Sequence, residues 1–102
     1  MKLKILDEAE QELREAAHWY EQRLAGLGHA LLEQAIDGFE QILNHPRRFP
    51  RYPTPRNREI RRLLMDRFPY AIVYELIDDR PIILAIAHGA RRPGYWRKRR
   101  PT

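Results

Sequence analysis

The sequence contains no cysteine, which excludes a disulfide framework and any thiolate chemistry. Such a composition suits a reducing compartment. No apolar run reaches the ~18 residues of a membrane span. The opening Met-Lys-Leu-Lys-Ile-Leu-Asp-Glu lacks the roughly 7–15-residue apolar core of a secretory signal. A cytoplasmic protein without membrane contact is therefore expected. Phosphate loops, zinc-ligand spacings and nucleophile elbows are also missing. The 4 histidines, His18, His29, His45 and His88, share no metal-ligand spacing, so neither a metal nor a cofactor is expected.

What the sequence does carry is charge, unevenly placed. The 102 residues suit one domain, 1–102, with a net charge of +5. Residues 1–45 hold 4 Lys/Arg against 9 Asp/Glu, a net of −5, and residues 46–102 hold 15 against 5, a net of +10. The second half is expected to face a polyanion or an acidic partner; the bland alternative is an acidic helical face beside a basic sheet.

Two β-rich runs, Tyr70 to Ile77 and Ile82 to His88, flank the polar break Asp78-Asp79-Arg80-Pro81 and read as an antiparallel hairpin. In the second run Ile82, Leu84 and Ile86 alternate with Ile83, Ala85 and Ala87, as expected of a strand covered on both faces. In the first, Ile72, Tyr74 and Leu76 share one face. Upstream, Leu3 and Ile5 alternate with Lys2 and Lys4 in a short edge strand. Asp7 is placed to cap a helix together with Glu10. That helix has an apolar stripe from Ala9 through Leu13, Ala16 and Tyr20 to Leu24 and ends at Gly26 and Gly28.

A second helix runs from Gly28 to Asn44, and Gly38 is expected to touch Ala16 and Ala17 of the first. Pro46 stops it. A proline- and arginine-rich loop with Pro50, Pro53, Pro55, Arg51, Arg56 and Arg58 crosses to a further strand, Ile60 to Met65. The order β-α-α-β-β-β predicts an α+β fold: an N-terminal strand, an antiparallel helix hairpin, then a three-stranded antiparallel run completing a small sheet.

Few residues offer chemistry. His88 ends a central strand beside Arg91 and Arg92 and could serve as a general base, or simply cap and pack. Arg61, Arg62, Arg67, Arg91, Arg92 and the 97–100 run are suited to phosphate or carboxylate. Tyr95 and Trp96 could stack on a base, or fold back and seal the open end of the core. The run Arg97-Lys98-Arg99-Arg100 has the composition of a disordered tail.

Arg67-Phe-Pro-Tyr-Ala-Ile-Val-Tyr-Glu-Leu76, then Ile82 to His88 and Arg91-Arg-Pro-Gly-Tyr-Trp96, resemble the RelE/ParE toxin superfamily. The helix hairpin opening on Asp7-Glu8-Ala9-Glu10, with Trp19-Tyr20-Glu21, is similar too. The resemblance spans nearly the whole chain. It implies a toxin of a bacterial type II toxin–antitoxin (plasmid stabilisation) pair, held in a hetero-oligomer by its antitoxin, and the net +10 of residues 46–102 makes the antitoxin's contacting segment an acidic, partly disordered one.

The RelE-like class implies metal-free mRNA cleavage on the ribosome, with Arg62, His88, Arg91 and Tyr95 as the matching catalytic set. Two further basic positions of that class fall on Leu64 and Ala71, which can neither stabilise charge nor move a proton. The ParE-like class, which the sequence resembles more, implies inhibition of DNA gyrase by binding and no catalytic residues. The target-binding candidates here are Arg67, before the hairpin, and Arg91, Arg92, Tyr95, Trp96 and Arg97 on a projecting C-terminal segment, whose removal after Gly89 should abolish inhibition.

Overall fold

The computed structural model describes residues 3–54 and 57–101. Lys2, Pro55 and Arg56, assigned above to the edge strand and the crossing loop, lie outside them. The elements are β1 (Lys4–Ile5), α1 (Asp7–Arg23), α2 (Leu27–Asn44), β2 (Glu59–Leu64), β3 (Tyr70–Ile77) and β4 (Arg80–His88).

Asp7 does not cap α1. It is the first helical residue; Leu6 precedes it with no side-chain cap, and Asp7, Glu8 and Glu10 place negative charge at the positive end of the helix instead. The stripe buries Ala9, Ala16 and Ala17, with Leu13 and Tyr20 partly covered, but Leu24 is exposed. The side-chain cap appears at α2. Glu21 accepts the backbone N–H groups of Gly26 at 2.9 Å and Gly28 at 3.0 Å. These bonds, that to Gly26 foremost, draw its carboxyl below the usual range.

The close helix–helix approach is at Gly28, where a Cβ would collide with the Ala17 carbonyl oxygen. Gly38, expected there, faces the sheet instead: a Cβ would lie 2.6 Å from Ile72 Cδ1 and 3.5 Å from Leu63 Cδ2. The small residue is needed where α2 crosses a strand, not where it meets α1.

The four strands lie in the order β1-β4-β3-β2. β2, β3 and β4 are antiparallel, while β1 pairs parallel with β4, Lys4 opposite Ile82. The sheet is therefore mixed. The hairpin turn is only Asp78-Asp79, both left-handed at φ 51° and 63°, a conformation that Asp tolerates and two-residue turns require. β4 therefore starts at Arg80 rather than at Ile82.

A bulge corrects the expected alternation of β4. Val73 pairs with Ala85 but Tyr74 pairs with Ile83, so Leu84 is the extra residue. The phase slips there. Ile83 and Ile86 face the helices with Ile72 and Tyr74, whereas Leu84 and Ala85 face away with Val73 and Ala71. The face away from the helices is covered as well, by Tyr52 and the C-terminal segment with Trp96.

Tyr74 ties the two layers together. It is fully buried and donates its hydroxyl to the Pro46 carbonyl at 2.6 Å, holding the loop that leaves α2. Burial pushes its pKa up to about 12. A free phenol ionises near pH ~10, so this stabilisation is whole below about pH 10 and is lost as the pH rises through about 12. Urea midpoints should be flat from about pH 8 to about pH 10 and then fall. The fall should shrink in Tyr74→Phe; an unchanged alkaline profile in that variant would refute the assignment.

Candidate functional site: a basic groove under the C-terminal strap

Beyond β4 the chain turns back through a series of backbone bonds. Gly89 N–H donates to the Pro69 carbonyl at 2.7 Å, Arg91 N–H to His88 at 3.0 Å, Tyr95 N–H to Arg92 at 3.2 Å and Arg99 N–H to Trp96 at 2.9 Å. The segment does not project. It lies on the sheet as a strap, and Trp96, only 2% exposed, packs edge-on to Tyr52 with ring centres 4.9 Å apart.

Two ion pairs, largely shielded from solvent, hold the strap. Arg58 clamps Glu75 through Nε at 3.1 Å and a second guanidinium nitrogen at 2.7 Å, and donates to the carbonyls of Arg97 at 2.7 Å and Arg99 at 3.2 Å. Arg99 clamps both oxygens of Glu12 at 2.9 Å and donates to the Leu84 carbonyl at 2.9 Å. Glu12 also accepts Ile86 N–H at 3.0 Å and the Tyr95 hydroxyl at 2.6 Å. The open edge of β4, past the two residues of β1, is thus satisfied by side chains rather than by another strand.

Between the strap and β2 runs a groove of about 320 Å³. Leu64, Ala71, Val73 and Ala87 form its apolar floor, Tyr52 one wall, and Arg62, Arg91, Arg92 and His88 its polar rim. Arg62 lies 5.5 Å from the Tyr52 ring centre, and Arg91 lies 3.8 Å from that of Tyr95.

Of the residues singled out in the sequence, Arg62, His88, Arg91, Arg92 and Tyr95 do line this groove. Arg97 stands at its rim, 5.9 Å from the Tyr52 ring. Arg67 is elsewhere, at the β2–β3 turn against Phe68, with its backbone N–H on Gln34. Trp96 lines the groove but is buried core, so its ring has no free face for a target. The terminal basic run is no free tail, since Arg99 is an anchor. Glu12, Arg58, Glu75 and Tyr52 were not singled out. Glu75, one carboxylate in a run of apolar strand residues, was the available signal for a buried partner.

The chemistry open to the groove is narrow. Tyr95 is committed to Glu12, and burial foremost, with that bond second, raises its pKa well above the ordinary phenol value. His88 Nδ1 accepts the Ala90 N–H at 2.9 Å. In the neutral ring that bond leaves the proton on Nε2, so of the two roles open to His88 the contact is the capping one, and its Nδ1 lone pair is already used. Leu64 and Ala71, paired across β2 and β3, add only apolar surface. The groove can hold an anion.

A second depression lies between α1 and the end of β4, with Trp19, Tyr20, Tyr70 and Ile86 in its lining. Trp19 is 47% exposed and carries the Arg23 guanidinium 3.4 Å above its ring.

A solved structure titled "Chromosomal ParDE TA system from P. aeruginosa" superposes with a TM-score of 0.62 at 20% identity, covering 86% of this chain and 95% of that one. It establishes the likeness of fold. No curated protein matches the chain. Residues 3–93 match the family described as "ParE toxin of type II toxin-antitoxin system, parDE". The chain therefore belongs to the ParE toxin family of type II toxin–antitoxin systems.

Proposed function

We propose that this chain inhibits DNA gyrase by binding, in the cytoplasm, and is neutralised by a cognate antitoxin. The observation that carries the binding reading is the groove's lack of an available base. Among the described residues, Tyr95 donates to Glu12 and the Nδ1 of His88 is occupied by the Ala90 N–H. Metal-free RNA cleavage on the ribosome needs a group that removes a proton, and each such group contributes roughly 10²–10⁴-fold. A binding protein needs only the basic rim. Arg91, Arg92 and Arg97 are the proposed target contacts, with Tyr95 and Trp96 holding the strap that carries them; Arg67 would extend the surface at the β2–β3 turn.

The test has two arms. Purified protein should inhibit supercoiling of relaxed plasmid by gyrase while leaving programmed ribosomes with intact mRNA. Arg92→Glu should relieve the inhibition without unfolding the protein. Site-specific mRNA cuts that vanish in Arg91→Ala, with normal supercoiling, would sink this reading in favour of the ribonuclease. Truncation after Gly89 cannot serve, because it removes Trp96 from the core.

The antitoxin is proposed to bring an acidic, partly disordered segment that folds on binding. The net +10 of residues 46–102 supports the charge, and the aromatic depression beside the β4 edge supports an apolar anchor. Association should slow as salt rises from about 50 mM to about 500 mM. A rate constant that stays flat over that range would remove the electrostatic part.

A further inference from the structure

The groove's composition is more specific than a basic patch. Its charges are arginines, whose planar guanidinium forks match phosphate oxygens. Tyr52 is only half-buried, with Arg62 at 5.5 Å and Arg97 at 5.9 Å from its ring centre, an arrangement of ring and cation on which a base can stack. Among the described residues no carboxylate lines the groove. Glu12 and Glu75 are held by Arg99 and Arg58 on the strap's inner side, and Glu12 lies 3.8 Å from Arg91 as well, whose side chain is still 54% exposed. An anion entering from solvent thus meets cations and an apolar floor without repulsion.

That floor also discriminates between sugars. Leu64, Ala71, Val73 and Ala87 carry no side-chain acceptor or donor. A ribose 2′-hydroxyl pressed against them would lose its water without gaining a partner, and an unpaired polar group costs free energy on burial. A deoxyribose has no such group. We infer that the groove binds a single strand of DNA, phosphates on Arg62, Arg91 and Arg92 and a base against Tyr52, without cleaving it. Nothing in this depends on gyrase, and the test contains none, so the two readings can fail separately.

The probe is a 5′-fluorescein dT15 oligonucleotide titrated with the full chain and followed by anisotropy. Three phosphate contacts predict a log–log salt slope of about −2 for a single strand. Arg62→Ala/Arg92→Ala should weaken binding at least about tenfold and flatten the slope to about −0.7. Both side chains are exposed, so an unchanged thermal midpoint should confirm that this variant is folded. Arg14→Ala/Arg80→Ala removes the same charge away from the groove and should leave binding within about twofold of the parent chain. The matching U15 oligonucleotide should bind at least about threefold more weakly than dT15.

Equal losses in the two double variants would reduce the effect to net charge and overturn the site. U15 binding as tight as dT15 would overturn the account of the floor and with it the assignment to DNA. An oligoglutamate peptide that displaces dT15 at lower concentration than unlabelled dT15 does would assign the groove to an acidic protein segment instead.

Discussion

Trp96→Ala should remove about 3–5 kcal/mol of unfolding free energy, the range for truncating a buried aromatic in a core that only partly collapses. The indole is 2% exposed and belongs with Ile60, Val73, Leu84 and Ala85 to the cluster on the face away from the helices. It also meets Tyr52 edge-on. Domains of this kind hold only about 5–15 kcal/mol in total, so the variant should be close to unfolding at ambient temperature. Trp96→Phe, which keeps a ring, should lose much less. Urea unfolding followed by circular dichroism measures both. A loss under about 1 kcal/mol would mean that the strap is not core, and the groove would then lack a fixed wall.

Arg58→Ala carries the second large effect, for an electrostatic reason. Glu75 has 8% of its side chain exposed, and Arg58 has 19%. Removing the arginine leaves a buried carboxylate with no cation, which typically costs about 3–5 kcal/mol. It also strips donors from the carbonyls of Arg97 and Arg99. The replacement Arg58→Met with Glu75→Leu should recover most of the loss, because two matched apolar groups need no solvation. The comparison separates the value of the pair from the cost of orphaning one member. Losses that simply add in the double variant would show that the two residues are not coupled.

The parts that could be read from sequence are those where polar and apolar residues alternate or where a breaker stands. The helix stripe around Ala9, Leu13 and Ala16, the stop at Pro46 and the hairpin about Asp78-Asp79 all have such contrast. The bulge at Leu84 does not. Every residue from Ile82 to Ala87 is apolar, so a slip of phase leaves no mark in the pattern. The strap was hidden for a different reason. Arg97-Lys98-Arg99-Arg100 is indistinguishable from a solvated tail until Arg99 is seen on Glu12, 87 residues away. Gly38 was recognised as a contact glycine, but spacing within one helix cannot say whether the neighbour is helix or sheet. The groove shared that fate: Arg91, Arg92 and His88 were legible as a cluster, whereas Tyr52, its stacking wall, lies in a loop with no periodicity to place it.

The distances along the chain that the strap spans have a kinetic consequence. The bonds of Glu12 to Tyr95 and Arg99 join residues 83 and 87 apart, and those of Arg58 to the strap join residues 39 and 41 apart. Contacts of such separation must overcome loop closure before they yield any stabilisation, so they form late. The helix hairpin and the β3–β4 hairpin are local by comparison and can form first. Docking of the strap is then the closing event of folding and its release the opening event of unfolding. The groove's second wall is accordingly the last part of this surface to form, and because it brings Trp96 with it, the groove is completed only when the sheet's outer core is.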